Sequence, residues 1–228
     1  MVKGPIKDIF YIHNAILKEA QEFEEVVREL NREDDAQVTG LLDRFRFYKA
    51  VLHVHEQDEE KDFFPLLEEK FRYMMPTYVF DHQHHSRIQD EIEGLLTGLR
   101  QARGNSERAQ LARHLNRQAI ALNVLMESHI NKENELWVPV LDEQFSFEQQ
   151  KEIIDRSMQS ASPETMQVMM QALPWMFRAQ TVDDREGMLR GFQQMMPPDM
   201  FSGVAQLLSG AVSPQDWQEM VRRMPELR

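Results

Sequence analysis

Apolar residues recur at helical spacing through nearly the whole chain, and no stretch shows the strict alternation of a half-buried strand. In the first segment Ile9, Ile12, Ile16, Phe23, Val27 and Leu30 share one broad face, with glutamates and lysines opposite. Asn31 to Asp35 punctuates it. A second helix is predicted from about Ala36 to Pro65, where proline kinks or ends it, with one or two turns beyond. Pro76 precedes a third, carrying Ile88, Ile92, Leu95, Leu96 and Leu99, and Gly104-Asn105-Ser106 closes that segment. A fourth spans roughly Glu107 to Trp137 and stops near Pro139. Four long amphipathic helices with short connections predict an all-α fold, an up-down-up-down four-helix bundle over residues 1–145.

After about Phe145 the texture changes to shorter, methionine-rich segments. Ser146-x-x-Gln149 reads as a capping box, and Ser162-Pro163 and Ser213-Pro214 each read as a cap followed by proline at the first helical position. Pro174, Pro197 and Pro198 are expected to break the rest. Residues 146–228 therefore read as a C-terminal cluster of short helices, packed on or next to the bundle. Methionine adapts to irregular gaps, so core filling is the preferred role of the methionines in this segment, with a groove for a protein partner as the alternative.

Composition narrows the chemistry. The chain has no cysteine, which excludes disulfides, thiolate zinc sites and iron–sulfur clusters. Any metal must be held by imidazole nitrogen and carboxylate oxygen. A net charge of −12 argues against nucleic-acid binding and against docking on anionic membranes. Met1-Val2-Lys3-Gly4-Pro5 leads into an amphipathic stretch, not an apolar secretory region, and no run reaches the length of a membrane span. The expected location is the cytoplasm.

One motif is duplicated. Helix two carries His55-Glu56-Gln57-Asp58-Glu59, then Pro65; helix four carries His129-Ile130-Asn131-Lys132-Glu133, then Pro139. In both, histidine precedes glutamate by four residues and proline by ten. Positions i and i+4 stack on one helix face, so each pair presents a nitrogen and a carboxylate to the same spot. His13 lies on the first helix, and the third opens with Asp81-His82-Gln83-His84-His85. One histidine from each of four helices, with two glutamates able to bridge, suffices for a pair of metal ions in a bundle core. Imidazole with carboxylate suits iron, and manganese or zinc less specifically. A single His-x-x-x-Glu pair is usually a surface ion pair; two copies with the same trailing proline are not so easily dismissed. His114 reads as solvated, while His53 and His84 point to other faces, and Asp58 and Glu60 read as groups around the site, not ligands.

The ordered pattern His13, His55-x-x-x-Glu59, His82, His129-x-x-x-Glu133 resembles the hemerythrin-like, or HHE cation-binding, family. Within it the pattern is similar to the iron-sensing hemerythrin domains of BRUTUS-type plant ubiquitin ligases and of the F-box iron sensor. The tail Leu173-Pro174-Trp175-Met176, followed by Thr181-Val182-Asp183-Asp184, resembles the segment after the bundle in the plant proteins. The resemblance implies a metal site of His13, His55, Glu59, His82, His129 and Glu133, holding two iron ions with an oxo or hydroxo bridge. It favours His82 as the third-helix ligand, through Asp81 before it and Thr77-Tyr78 upstream. Periodicity alone prefers His85, which aligns with Ile88, Ile92 and Leu99. By the same resemblance Glu56 is a candidate seventh ligand; its counterpart in the repeat is Ile130. One departure is that His82 is followed four residues later by Ser86, not by a second histidine as in oxygen-carrying members. Without cysteine no RING finger can be built here, so ligase activity is not implied.

The expected function is a di-iron protein that binds or senses iron and O2, nitric oxide or peroxide. The alternative is an enzyme, a di-iron oxidase or peroxidase acting on H2O2, nitric oxide or a small organic substrate, with no catalytic residue assigned. A ferritin-like oxidase is disfavoured, since no histidine has glutamate three residues before it. Tyr11, Tyr48, Tyr73 and Tyr78 are read as packing residues before redox partners.

Overall fold

The computed structural model describes residues 4–227, apart from the side chains of residues 69 and 70; the Met1-Val2-Lys3 start and Arg228 lie outside the described residues. Among the described residues every regular element is helical and none is a strand, as the apolar periodicity predicts. No helix is long and apolar enough to cross a membrane. The chain divides into two compact units, Ile16–Glu135 and Met1–Ala15 together with Leu136–Arg228.

In the first unit four long helices surround one core: the greater part of α1 (Ile9–Glu29), α2 (Asp35–Asp58), α4 (Met75–Gln101) and α5 (Asn105–Lys132), with the short α3 (Phe64–Phe71) extending α2. The Asp34 carboxylate caps α2 by accepting from the backbone N–H groups of Ala36 and Gln37. Sequential helices are neighbours, and the ring closes on itself. Phe23 of α1 packs on Phe45 of α2, 4.8 Å between ring centroids. Arg46 and Lys49 of α2 both pair with Glu93 of α4. The amide of Asn123 on α5 donates to Glu24 of α1 at 2.8 Å. Inside the ring Ile16, Leu42, Phe45, Leu52, Ile92, Leu96, Leu99, Leu115 and Leu122 are completely buried, each contributing about 2 kcal/mol of apolar transfer energy. Ile9, Ile12 and Leu30, grouped with Ile16 by periodicity, are only half-buried.

Both copies of the repeated motif depart from the expected proline kink. Between α2 and α3 the chain does not stop; it opens into a π-helical turn at Glu59–Phe63. There the N–H of Phe64 reaches the Glu59 carbonyl, five residues back. The same wide turn recurs at Glu133–Trp137, after α5 and before α6 (Val138–Gln144). The cause is steric. A proline inside an α-helix clashes with the carbonyl four residues earlier and leaves it unbonded. Widening one turn lets the helix restart so that Pro65 and Pro139 fall in its first turn, where no N–H is needed.

In the second unit α6 is followed by α7 (Phe147–Ser160), α8 (Pro163–Ala179), α9 (Val182–Met195), α10 (Pro198–Ser209) and α11 (Pro214–Arg223). Ser146 forms the expected capping box with Gln149, and Ser162 and Ser213 cap helices that begin with proline. Pro174 does not break the chain but lies inside α8. The carbonyl it deprives of a bond belongs to Met170, on an exposed stretch where water can take it up. The N-terminal residues are built into this unit: the Gly4 N–H donates to Asp142 and the Ile6 N–H to the Gln150 side chain. Gly4 is required there, because a Cβ would stand 1.9 Å from the Gln150 amide oxygen. Tyr11 joins Phe177, Met188, Leu189, Phe192, Leu208 and Met220 in one apolar core. Gln180 ties the first turns of α1 to α8, donating to the Tyr11 carbonyl at 2.8 Å and accepting from the Asn14 amide at 3.2 Å.

Candidate metal centre

Two helices deliver the motif's histidines and glutamates to one place in the first unit. Glu59 and Glu133, the first residues of the two π-turns, are 1 % and 0 % exposed. With His82 and His129 they form a buried cluster in which one ligand atom from each lies within 4.8 Å of all the others. The ligand atoms of His55, Glu59 and Glu133 meet the same limit. Both carboxylates thus belong to both groups. Within each motif the i, i+4 stack holds: His55 Nε2 is 3.4 Å from Glu59, and His129 Nε2 is 3.2 Å from Glu133.

The imidazoles are oriented from behind. His82 donates from Nδ1 to Glu60 at 2.8 Å, and His129 Nδ1 faces Asp81 at 3.4 Å. Asp81 is in turn held by the Lys132 ammonium. These acceptors turn both Nε2 atoms inward, where they stand 3.1 Å apart. At that separation a cation must lie between the two nitrogens: a proton carried by His129 in the metal-free protein, or a metal ion in its place. The donor set, imidazole and carboxylate with no sulfur, fits a metal ion of the iron, manganese or zinc type, and carboxylates behind the histidines are the usual companions of such ligands.

Electrostatics agree with a site built for positive charge. Burial and the neighbouring Glu133 push the Glu59 carboxyl well above its ordinary range. Burial opposes the charge on His129, but Glu133 and the Asp81 bond lift its pKa to about 10. Asp81 is drawn well below the usual carboxylate range by His129 and Lys132.

On α4 both candidate histidines are buried, but differently engaged. His82 joins the Glu59–His129–Glu133 cluster. His85 bonds through Nδ1 to Glu56 at 3.0 Å, which pairs the alternative third-helix histidine with the candidate seventh ligand. His13 is completely buried on α1 in the second unit. His53 and His84 are exposed, and His114 lies 2.9 Å from Glu91 at the surface.

Sequence reasoning put Glu60 around the site without naming its partner and missed the link from Asp81 to His129, since each acts on a histidine of a different helix. It also missed a signal that was present: Tyr78, His82, His85 and Gln89 follow one another at i, i+4, i+7 and i+11, and all four are buried. The α4 face at the site is a polar stripe whose two ends, the Tyr78 hydroxyl and the Gln89 amide nitrogen, are buried and make no hydrogen bond.

Residues 4–141 match the family model of the hemerythrin HHE cation-binding domain. The chain belongs to that family. The matched span contains every candidate ligand, so the cluster lies in a cation-binding domain. Among curated proteins the chain is similar to Zinc finger protein BRUTUS of Arabidopsis thaliana, 25 % identical over 194 residues that cover 85 % of this chain and 15 % of that protein. It is also similar to Zinc finger protein BRUTUS-like At1g18910 of the same plant, 26 % identical over 208 residues, 86 % of this chain and 16 % of that one. This hemerythrin-family chain therefore spans about a sixth of the length of the relatives it matches. No solved structure matches it.

Proposed function

We propose that this hemerythrin-family chain binds two iron ions and serves as a sensor of iron or of a small ligand such as O2, nitric oxide or peroxide. The reading rests on Glu59 and Glu133 belonging to both donor groups, the arrangement two carboxylates need to bridge a pair of ions. His82 and His129 would hold one ion. His55 would hold the other, with His13 from α1 completing its set, as the order of the motif implies. When bound, iron would supply a redox-active, Lewis-acidic centre able to take a small ligand. The chain's own residues do the rest: Glu60 and Asp81 fix the imidazoles, and burial of Glu59, Glu133, His82 and His129 excludes bulk water.

Stoichiometry tests this directly. Metal-free protein reconstituted anaerobically with ferrous iron should retain about two ions per chain by elemental analysis, and Glu59→Ala and Glu133→Ala should each lose the pair. Retention of one ion or none by the wild type would end the di-iron reading.

A further inference from the structure

The polar stripe on α4 ends in a hydroxyl that nothing in the fold uses. Tyr78 is 1 % exposed, yet its Oη has no hydrogen-bond partner among the described residues. Its ring is held firmly on three sides: edge-on to His129 at 5.7 Å, tilted on Phe64 at 5.8 Å, and under the Lys132 ammonium at 5.4 Å. Phe64 in turn stacks on His82 at 5.7 Å. Tyr78 is thus packed against one ligand-candidate imidazole and against the ring that backs the other, one helical turn before His82. A phenylalanine would fill the same space. A buried hydroxyl without a partner is costly, whereas Tyr48 meets the same problem by bonding to the Ile16 carbonyl.

The orphan group is a donor on a ring packed against the cluster, whose protein acceptors, Glu59 and Glu133, are already drawn together. A donor beside a cationic centre matches a ligand carrying negative charge or lone pairs. We propose that the Tyr78 hydroxyl is the hydrogen-bond donor for a small anionic or oxygen-bearing ligand held at the metal centre, and so selects that class of ligand. Tyr78 touches the ligand in this reading, not the metal. The inference rests on the metal-binding reading above, and its test separates the two.

The probe is sodium azide, titrated into anaerobically iron-loaded, then oxidised, protein and followed by its visible charge-transfer band. The comparison is wild type against Tyr78→Phe, which keeps the ring and removes only the hydroxyl. Iron content should be the same in both, and azide affinity should fall about tenfold in the variant, the factor that corresponds to roughly 1.4 kcal/mol for one hydrogen bond. Metal-free Tyr78→Phe should melt at the same temperature as metal-free wild type or slightly above it, because it loses an unsatisfied group. Equal azide affinity in the two proteins overturns the proposal, as does failure of iron-loaded wild type to bind azide. So does a lower melting temperature of the metal-free variant, which would mean that the hydroxyl already has a protein acceptor. Loss of iron from the variant alone makes Tyr78 a metal-site residue and also overturns it. Failure of the wild type to take up iron refutes the metal reading itself, and this proposal with it.

Discussion

Replacing Glu59 by glutamine should have opposite consequences with and without metal. In the metal-free protein the facing oxygens of Glu59 and Glu133 lie no more than 4.8 Å apart, both fully buried. At an effective dielectric constant of ~20, two unit charges at that distance repel by about 3 kcal/mol. The raised pKa of Glu59 has the same origin, burial first and then Glu133. If both carboxylates are ionised, Glu59→Gln therefore gains up to about 3 kcal/mol, less the part that the imidazoles already offset. If Glu59 keeps a proton, glutamine is its near-isostere and the change is close to zero. Neither case destabilises. With iron the sign should reverse, because the variant would lack one of the two proposed bridging carboxylates and lose stabilisation of about 2.7 kcal/mol at metal a hundredfold above the dissociation constant. Urea unfolding of both proteins, each with chelator and with ferrous iron, measures all four stabilities. A metal-free Glu59→Gln protein weaker than wild type by 1 kcal/mol or more would refute the reasoning, since Glu59 would then be a structural hydrogen-bonding group.

Three further outcomes are expected. His82→Ala should lose more iron than His85→Ala, because only His82 belongs to the buried four-residue cluster; equal iron in the two variants would return the choice to His85. Asp81→Asn should weaken metal binding about ten- to a hundredfold by releasing His129 Nδ1, measured by competition with a chromogenic chelator, and unchanged affinity would remove Asp81 from the site. Asp8, half-buried beside Gly191 with one carboxylate oxygen shut off from solvent, has a pKa raised by desolvation to about 7 from 3.8, so the folded state holds its proton more tightly than the unfolded chain. Its stabilising contribution is complete below about pH 4 and is lost as the pH rises through 7, a change of about 4 kcal/mol. Asp8→Asn should flatten the wild-type decline in denaturation midpoint between pH 4 and 7, and parallel profiles would contradict the assignment.

Much of this was legible in residue spacing. A run such as Ile88, Ile92, Leu95, Leu96 and Leu99 can only be a buried helical face, and Ser146, Ser162 and Ser213 announce helix starts because capping is local chemistry. The His-x-x-x-Glu pairs were equally readable, since four residues is one helical turn. Periodicity reports burial and not partnership, however. It preferred His85 to His82, although both are buried and only the cross-helix neighbours, Glu56 and Glu60, tell them apart. For the same reason Asp81 looked like a companion of the histidine next to it, although its contacts are His129 and Lys132 on another helix. The joining of residues 4–15 to α7, α8 and α9 was invisible, because pairings such as Tyr11 with Gln180 leave no mark in local sequence. Pro174 was misjudged, being tolerated inside a helix, and the wider turn before Pro65 was not foreseen.

The two π-turns make the cluster sensitive to length as well as to identity. Each holds one residue more than the α-helix around it would need, so one residue of each turn acts as a spacer. An α-helical residue turns the chain by ~100°. Deleting either spacer would return Pro65 or Pro139 to a helix interior and rotate everything beyond it by about that angle, while every histidine and glutamate of the motif stayed in the chain. A one-residue gap in the first turn, which precedes His82, His129 and Glu133, would therefore mark a related sequence whose ligands survive on paper but no longer share a geometry.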